Sequence, residues 1–256
     1  MSEITRARVL EHLRKLYLVH IADRLDTLLD NAARKDMTFL DFLDDILQAE
    51  TASKTDKRVQ MGVRIAHFPA QKSLDDFDFA AQPSVDQRLI RELATGRFVA
   101  QAYNVLLFGP PGVGKTHLAI GLGRAVIQAG FSALFVSATD LLVALSKAES
   151  EGQLQAKLTQ FAKPKLLIID ELGYLPLEKR SAHLFYQLVQ RRDEKSSTLL
   201  TTNQMVTQWG QVFGDEMTAA AILDRLLHMS HALVIQGDSY RLRSKRKAGL
   251  LDGRRE

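Results

Sequence analysis

Apolar positions in the first 67 residues recur every three to four places. Val9, Leu10, Leu13, Leu16, Ile21, Leu25, Leu28 and Leu29 follow this spacing, which predicts helices with one apolar face each. A fresh start signal falls at Thr38, whose hydroxyl can cap a helix while Asp41 reaches back to it. Phe39, Leu40, Leu43, Ile46 and Leu47 then supply a further apolar face. Lys54, Lys57, Arg58 and Arg64 make the far end of this stretch basic, and Pro69 must end it. Residues 1–67 are therefore expected to form a small all-helical module. Its apolar faces read as core first; helices too few to close a core alone would favour self-association, and DNA is the other expected contact.

Residues 68–84 hold two of the chain's prolines among turn-forming residues and read as a linker crossing a surface. Ser84 with Gln87 reads as another capping box, opening a helix to about Arg97. From Asn104 the period changes. VLLF (105–108), ALFV (133–136), LLIID (166–170), STLLTTN (197–203) and ALVI (232–235) are short β-rich runs separated by helical stretches. Continuous apolar strands alternating with helices predict an α/β core over residues 85–240, its parallel sheet covered by helices on both faces.

The first of these strands carries the strongest chemical signal. It runs straight into Gly109, Pro110, Pro111, Gly112, Val113, Gly114, Lys115 and Thr116, and then into a long helix opening with His117. This is the phosphate-loop pattern in the strand–loop–helix setting that it requires. Its glycines let backbone N–H groups turn inward around a triphosphate, and the helix adds its positive end. Lys115 is placed to neutralise phosphate oxygens, and Thr116 offers a hydroxyl to Mg²⁺. His117 is expected beside the nucleotide as a packed helix residue rather than a catalyst.

A second apolar strand ends in Asp170 and Glu171. Ligands of parallel sheets bind at the strands' carboxyl ends. Asp170 is therefore expected to hold Mg²⁺, and Glu171 to polarise the attacking water as general base. Asn203, at the end of a third strand, can orient that water, although a turn role is the plainer reading. Arg225 sits near a helix end, where it can reach a neighbour's nucleotide or simply pair with Asp224 or Glu216. The residues alone thus predict a Mg²⁺–nucleotide hydrolase.

Charge and composition narrow the partners. The net charge of +4 is concentrated in residues 241–256, which hold seven Lys/Arg against two Asp/Glu. This basic tail is a solvated end or a polyanion contact. The absence of cysteine excludes disulfides, thiolate metal sites and cysteine nucleophiles. No apolar run reaches the roughly 18–20 residues that span a bilayer, and no apolar signal core opens the chain. A cytoplasmic protein without membrane contact is expected. His228 and His231 form the one close histidine pair but lack partners for zinc. Trp209 and Phe213, at helical spacing, read as core.

GPPGVGKTHLA, LLIIDELGYLP, TTN and ILDRLLHMSHALVIQGDSYR resemble the AAA+ ATPases of the helicase-loader clade. More narrowly they resemble the IstB-like helper ATPases of two-component insertion sequences, as does the connector at residues 66–79. The resemblance implies a role in transposition and DNA recombination. A homo-oligomer would assemble with ATP on duplex DNA, and that assembly would present the DNA to a partner transposase. It makes Asn203 resemble sensor 1, Arg225 the arginine finger and Arg241 a sensor-2-like group at the nucleotide. Lys147, Lys179 and Arg180 fall on segments that face the oligomer's bore in that clade, with a solvated charged surface as the plainer reading. Only about 30 residues follow Arg225, too few for a full C-terminal helical lid. A replicative helicase loader, a P-loop nucleotide kinase and a nucleotide-gated scaffold without turnover remain as alternatives.

Overall fold

The computed structural model describes residues 3–174, 177–240 and 242. The chain divides into two compact units, Met1–Met61 and Gly62–Glu256.

In the first unit, α1 (Glu3–Lys15) and α2 (Val19–Arg34) are followed by α3 (Phe39–Ile65), which continues past the unit's end. Thr38 starts α3 as its sequence predicts: its hydroxyl accepts from the Asp41 N–H at 3.2 Å and donates to the Asp41 carboxylate at 2.6 Å. The start of α2 is different, because Leu18 offers no capping side chain. Glu50 of α3 replaces the cap, its carboxylate accepting from the Ile21 N–H at 2.9 Å. Among the described residues of this unit only Ile21, Leu25 and Glu50 are buried, and Phe39 and Leu40 are 96% and 75% exposed.

The second unit is an α/β sandwich. It contains α4 (Gln87–Ala94), α5 (Arg97–Ala100), β1 (Asn104–Phe108), α6 (Lys115–Gln128), β2 (Ala133–Ser137), α7 (Ala138–Ser150) and α8 (Leu154–Ala162). After these come β3 (Leu166–Leu172), α9 (Lys179–Arg192), β4 (Ser197–Thr202), α10 (Trp209–Phe213), α11 (Glu216–His228) and β5 (Ser230–Val234). The strands form one parallel five-stranded sheet in the order β2-β3-β4-β1-β5.

Strand period assigns the two faces. Leu167, Ile169, Leu106 and Leu200 point into one cluster with α7–α11, where Trp209 and Phe213 are also buried. Ile168, of the opposite parity, lies under α6. Each fully buried Leu or Ile of this kind contributes roughly 1.5–3 kcal/mol.

Residues 66–84 run across this unit and form part of its wall. The Ala66 carbonyl accepts from the Phe135 N–H of the edge strand β2 at 2.8 Å, and the Phe68 ring meets Phe135 edge-on. The expected Ser84–Gln87 capping box does not form. Asp86 caps α4 instead, accepting from the Arg88 and Leu89 N–H groups. A carboxylate at the helix's positive end outcompetes a serine two residues further back. That frees the Ser84 hydroxyl to exchange two 3.0 Å bonds with the backbone of Gln236.

Candidate functional site

The loop after β1 folds back on itself before α6 begins. Gly114 is the residue before the helix, in a left-handed conformation (φ +100°) that a side chain would strain. At Gly112 (φ +84°) the chain after β5 approaches so closely that a Cβ would meet Ser239 Oγ at 2.1 Å. The Tyr240 N–H donates to the Gly112 carbonyl, and Gln82 Nε2 to the Val113 carbonyl, both at 3.0 Å. The loop is therefore clasped from outside by two segments remote in sequence. Lys115 Nζ donates to the Gly109 and Pro110 carbonyls at 2.7 and 2.8 Å.

Across from the loop, Thr116 Oγ1 donates to both carboxylate oxygens of Asp170, at 3.1 and 3.0 Å. Asp170 is buried while Glu171 is exposed. Two consecutive residues of a regular strand would face opposite sides of the sheet. Here the strand is bulged: Ile169 is opposite Leu200 and Leu172 opposite Thr202, so Asp170 and Glu171 share one partner position, Thr201. Glu171 takes φ +62° within the bulge.

Two cavities flank the loop. One of about 420 Å³ is lined by Gly112, Lys115, Thr116, Glu171, Thr201 and Asn203. The other, of about 630 Å³, lies on the loop's outer side between Gln82, Val113 and Tyr240. Lys72 and His117 border both. His117 Nε2 lies 2.8 Å from the Ser73 carbonyl, and its ring packs edge-on against Phe77. The Thr116 hydroxyl and Asp170 carboxylate are hard oxygen donors beside the loop, a set that suits Mg²⁺.

The sequence profile of the IstB-like ATP binding proteins matches residues 11–248. The chain belongs to this family. An IS21 putative ATP-binding protein of Pseudomonas aeruginosa is 44% identical over 239 residues, covering 93% of this chain and 90% of its own length. Its IS5376 counterpart in Geobacillus stearothermophilus is 43% identical over 241 residues, with 94% and 96% covered. Among solved structures, DnaI (TM-score 0.52, 24% identity, 66% of this chain and 90% of that one) shares the fold. So does the DnaC helicase loader, with TM-score 0.51, 24% identity and 64% and 96% covered. The IstB-like chain thus has the AAA+ fold.

Arg225, Lys147, Lys179 and Arg180 line neither cavity of this IstB-like site. Arg225 is at the opposite, amino-terminal end of the strands, since Asn104 at the start of β1 donates to the carbonyls of Arg225 and Leu226. The strand between spans about 16 Å at ~3.3 Å per residue, so Arg225 does not serve the phosphate loop of its own chain. It pairs with neither Asp224 nor Glu216. Its guanidinium lies 5.0 Å from the Tyr186 ring centre, and Nε is 3.8 Å from Asp193 Oδ2, buried without a hydrogen-bond acceptor. Lys147, Lys179 and Arg180 fall on α7 and α9, exposed; Arg180 Nε bonds Glu149 at 2.6 Å and Lys147 lies 3.9 Å from Glu151. Arg241 and, apart from Leu242, the rest of the basic tail lie outside the described residues.

Thr201, Gln82, Lys72 and Tyr240 are site residues that sequence reading missed. Thr201 stands within the TTN motif, so a signal was present; the others reach the loop only through folding.

Proposed function

We propose that this chain is an ATP hydrolase that assembles with ATP as a homo-oligomer on duplex DNA. The assembly presents target DNA to a partner transposase, and hydrolysis releases or remodels it. One observation carries the hydrolase reading: the phosphate loop, the Thr116–Asp170 pair, Glu171 and Asn203 converge on a single cavity. Membership of the IstB-like family and relatives named for insertion sequences support the transposition role.

In this reading the loop N–H groups and the start of α6 bind the triphosphate. Lys115 exchanges its two loop carbonyls for phosphate oxygens. Thr116 and Asp170 would hold Mg²⁺, which would supply charge neutralisation to the phosphates. Glu171, free in the cavity, accepts a proton from the attacking water, and Asn203 orients that water. Arg225 stabilises charge at a neighbour's site, a role supported by its position at the end of the strands away from its own loop. Lys147, Lys179 and Arg180, with the basic tail, contact DNA phosphates.

Phosphate release measured with and without duplex DNA tests this. Stimulation by DNA is expected. No stimulation, together with phosphate transfer to a nucleoside acceptor, would establish a kinase instead.

A further inference from the structure

We infer that Thr201 is the positioning residue that sets both carboxylates of the site, acting through the bulge in β3. The inference rests on the reading of Asp170 as the Mg²⁺ holder and Glu171 as the base. A bulge leaves one residue of the longer strand without its ladder partner. Here the side chain of Thr201 replaces that partner. Its hydroxyl accepts from the Glu171 N–H at 2.9 Å and donates to Asp170 Oδ1 at 2.5 Å. One buried hydroxyl, with Thr201 itself 0% exposed, therefore spends its donor on the first carboxylate and its acceptor on the backbone of the second.

Both bonds have consequences for the proposed chemistry. A hydroxyl donor fixes one oxygen of Asp170 and leaves the Thr116 side of the carboxylate toward the loop. The bond to the Glu171 N–H anchors a residue held at φ +62°, a conformation disfavoured for glutamate and maintained only when its surroundings hold it. Without the hydroxyl, the Glu171 N–H loses its partner, and the backbone gains by relaxing out of the bulge. Thr201 touches no reacting atom in this account. The residue can do this because β4 lies between β3 and β1 in the sheet.

Thr201→Val removes the hydroxyl at constant shape, and Thr201→Ser keeps it. In Thr201→Val, kcat is expected to fall at least tenfold, with nucleotide affinity in EDTA unchanged. The Mg²⁺ concentration that half-saturates nucleotide binding should rise several-fold. Amide exchange at Glu171, read without nucleotide, should become faster. Thr201→Ser should stay within about twofold of wild type in all of these. Should the valine variant fail to fold, Thr201→Ala carries the same expectations. A hydroxyl-free variant with wild-type kcat, Mg²⁺ dependence and exchange overturns the inference, as does a serine variant that is equally impaired. Glu171→Gln separates the two levels. If it loses turnover while Thr201→Val is unaffected, only the inference fails; if it turns ATP over normally, the reading beneath it fails too.

Discussion

Lys115 and Glu171 are the residues whose proposed roles differ most cleanly. Lys115→Ala removes the cation that faces the phosphates, so ATP binding should be lost in a calorimetric titration. Glu171→Gln keeps the loop intact and removes only proton acceptance, so ATP should bind normally while turnover stops and the DNA-bound state accumulates. Unchanged ATP affinity in Lys115→Ala would refute the loop's role. Arg192 shows a residue whose importance is structural. It is buried without a carboxylate, its guanidinium donating to the carbonyls of Phe161, Ala162, Pro164 and Ser197. Burial pushes its pKa down to about 9, so it remains charged at neutral pH. Arg192→Met fills similar space yet leaves those acceptors unpaired, and should cost about 3–5 kcal/mol in urea unfolding. A cost under 1 kcal/mol would mean that desolvating the cation cancels its bonds.

At the scale of elements, what starts a helix decides which side chains it presents. Asp215 opens α11, the helix of Arg225, by accepting from the Thr218 N–H at 2.8 Å and its hydroxyl at 2.5 Å. Those bonds stabilise the ionised carboxylate and hold its pKa below the usual range. A carboxylate depressed in the folded state contributes stability in full above its unfolded value of roughly 4. The contribution is lost as pH falls through the depressed folded value. Thermal unfolding of wild type and Asp215→Ala should therefore differ at pH 6 and converge well below pH 4. A difference that persists at the lowest pH would assign the effect to packing. At the other helix starts, Asp86 took the place that Ser84 was expected to hold, and Glu50 caps α2 from another helix. A cap supplied from 29 residues away leaves no mark in local spacing.

At the scale of the whole molecule, the sheet separates Arg225 from its own phosphate loop, so any catalytic use of it needs a second copy. Arg225→Ala should leave ATP affinity intact and abolish hydrolysis and ATP-dependent assembly. An arginine acting across an interface can be worth roughly 10³–10⁵ in turnover. Mixing Arg225→Ala with Lys115→Ala should restore part of the activity, because some interfaces then join a working loop to a working arginine. Wild-type turnover in Arg225→Ala would show that its stacking on Tyr186 and pairing with Asp193 are merely structural. Lost turnover without complementation would point to a folding role.

The phosphate loop, the five strands and the Asp170–Glu171 pair were legible in the chain because each is local: glycine spacing, an unbroken apolar run, and charge where that run stops. So was the Thr38 cap, whose partner is three residues away. What the tertiary structure alone decided is which distant pieces meet. Strand order is not written in any one strand, since β1, β3 and β4 are all short and nearly every residue in them is buried. Placing β4 between β3 and β1 puts Thr201 beside Asp170 and ties the Gly109 N–H to the Thr202 carbonyl. The bulge arises from pairing, because an extra residue exists only relative to a partner strand. The segment 66–84 looked like a linker since its prolines and polar residues lack periodicity. Only the folded sheet supplies the surface on which Phe68 packs and against which Phe77 and Gln82 become a wall of the site.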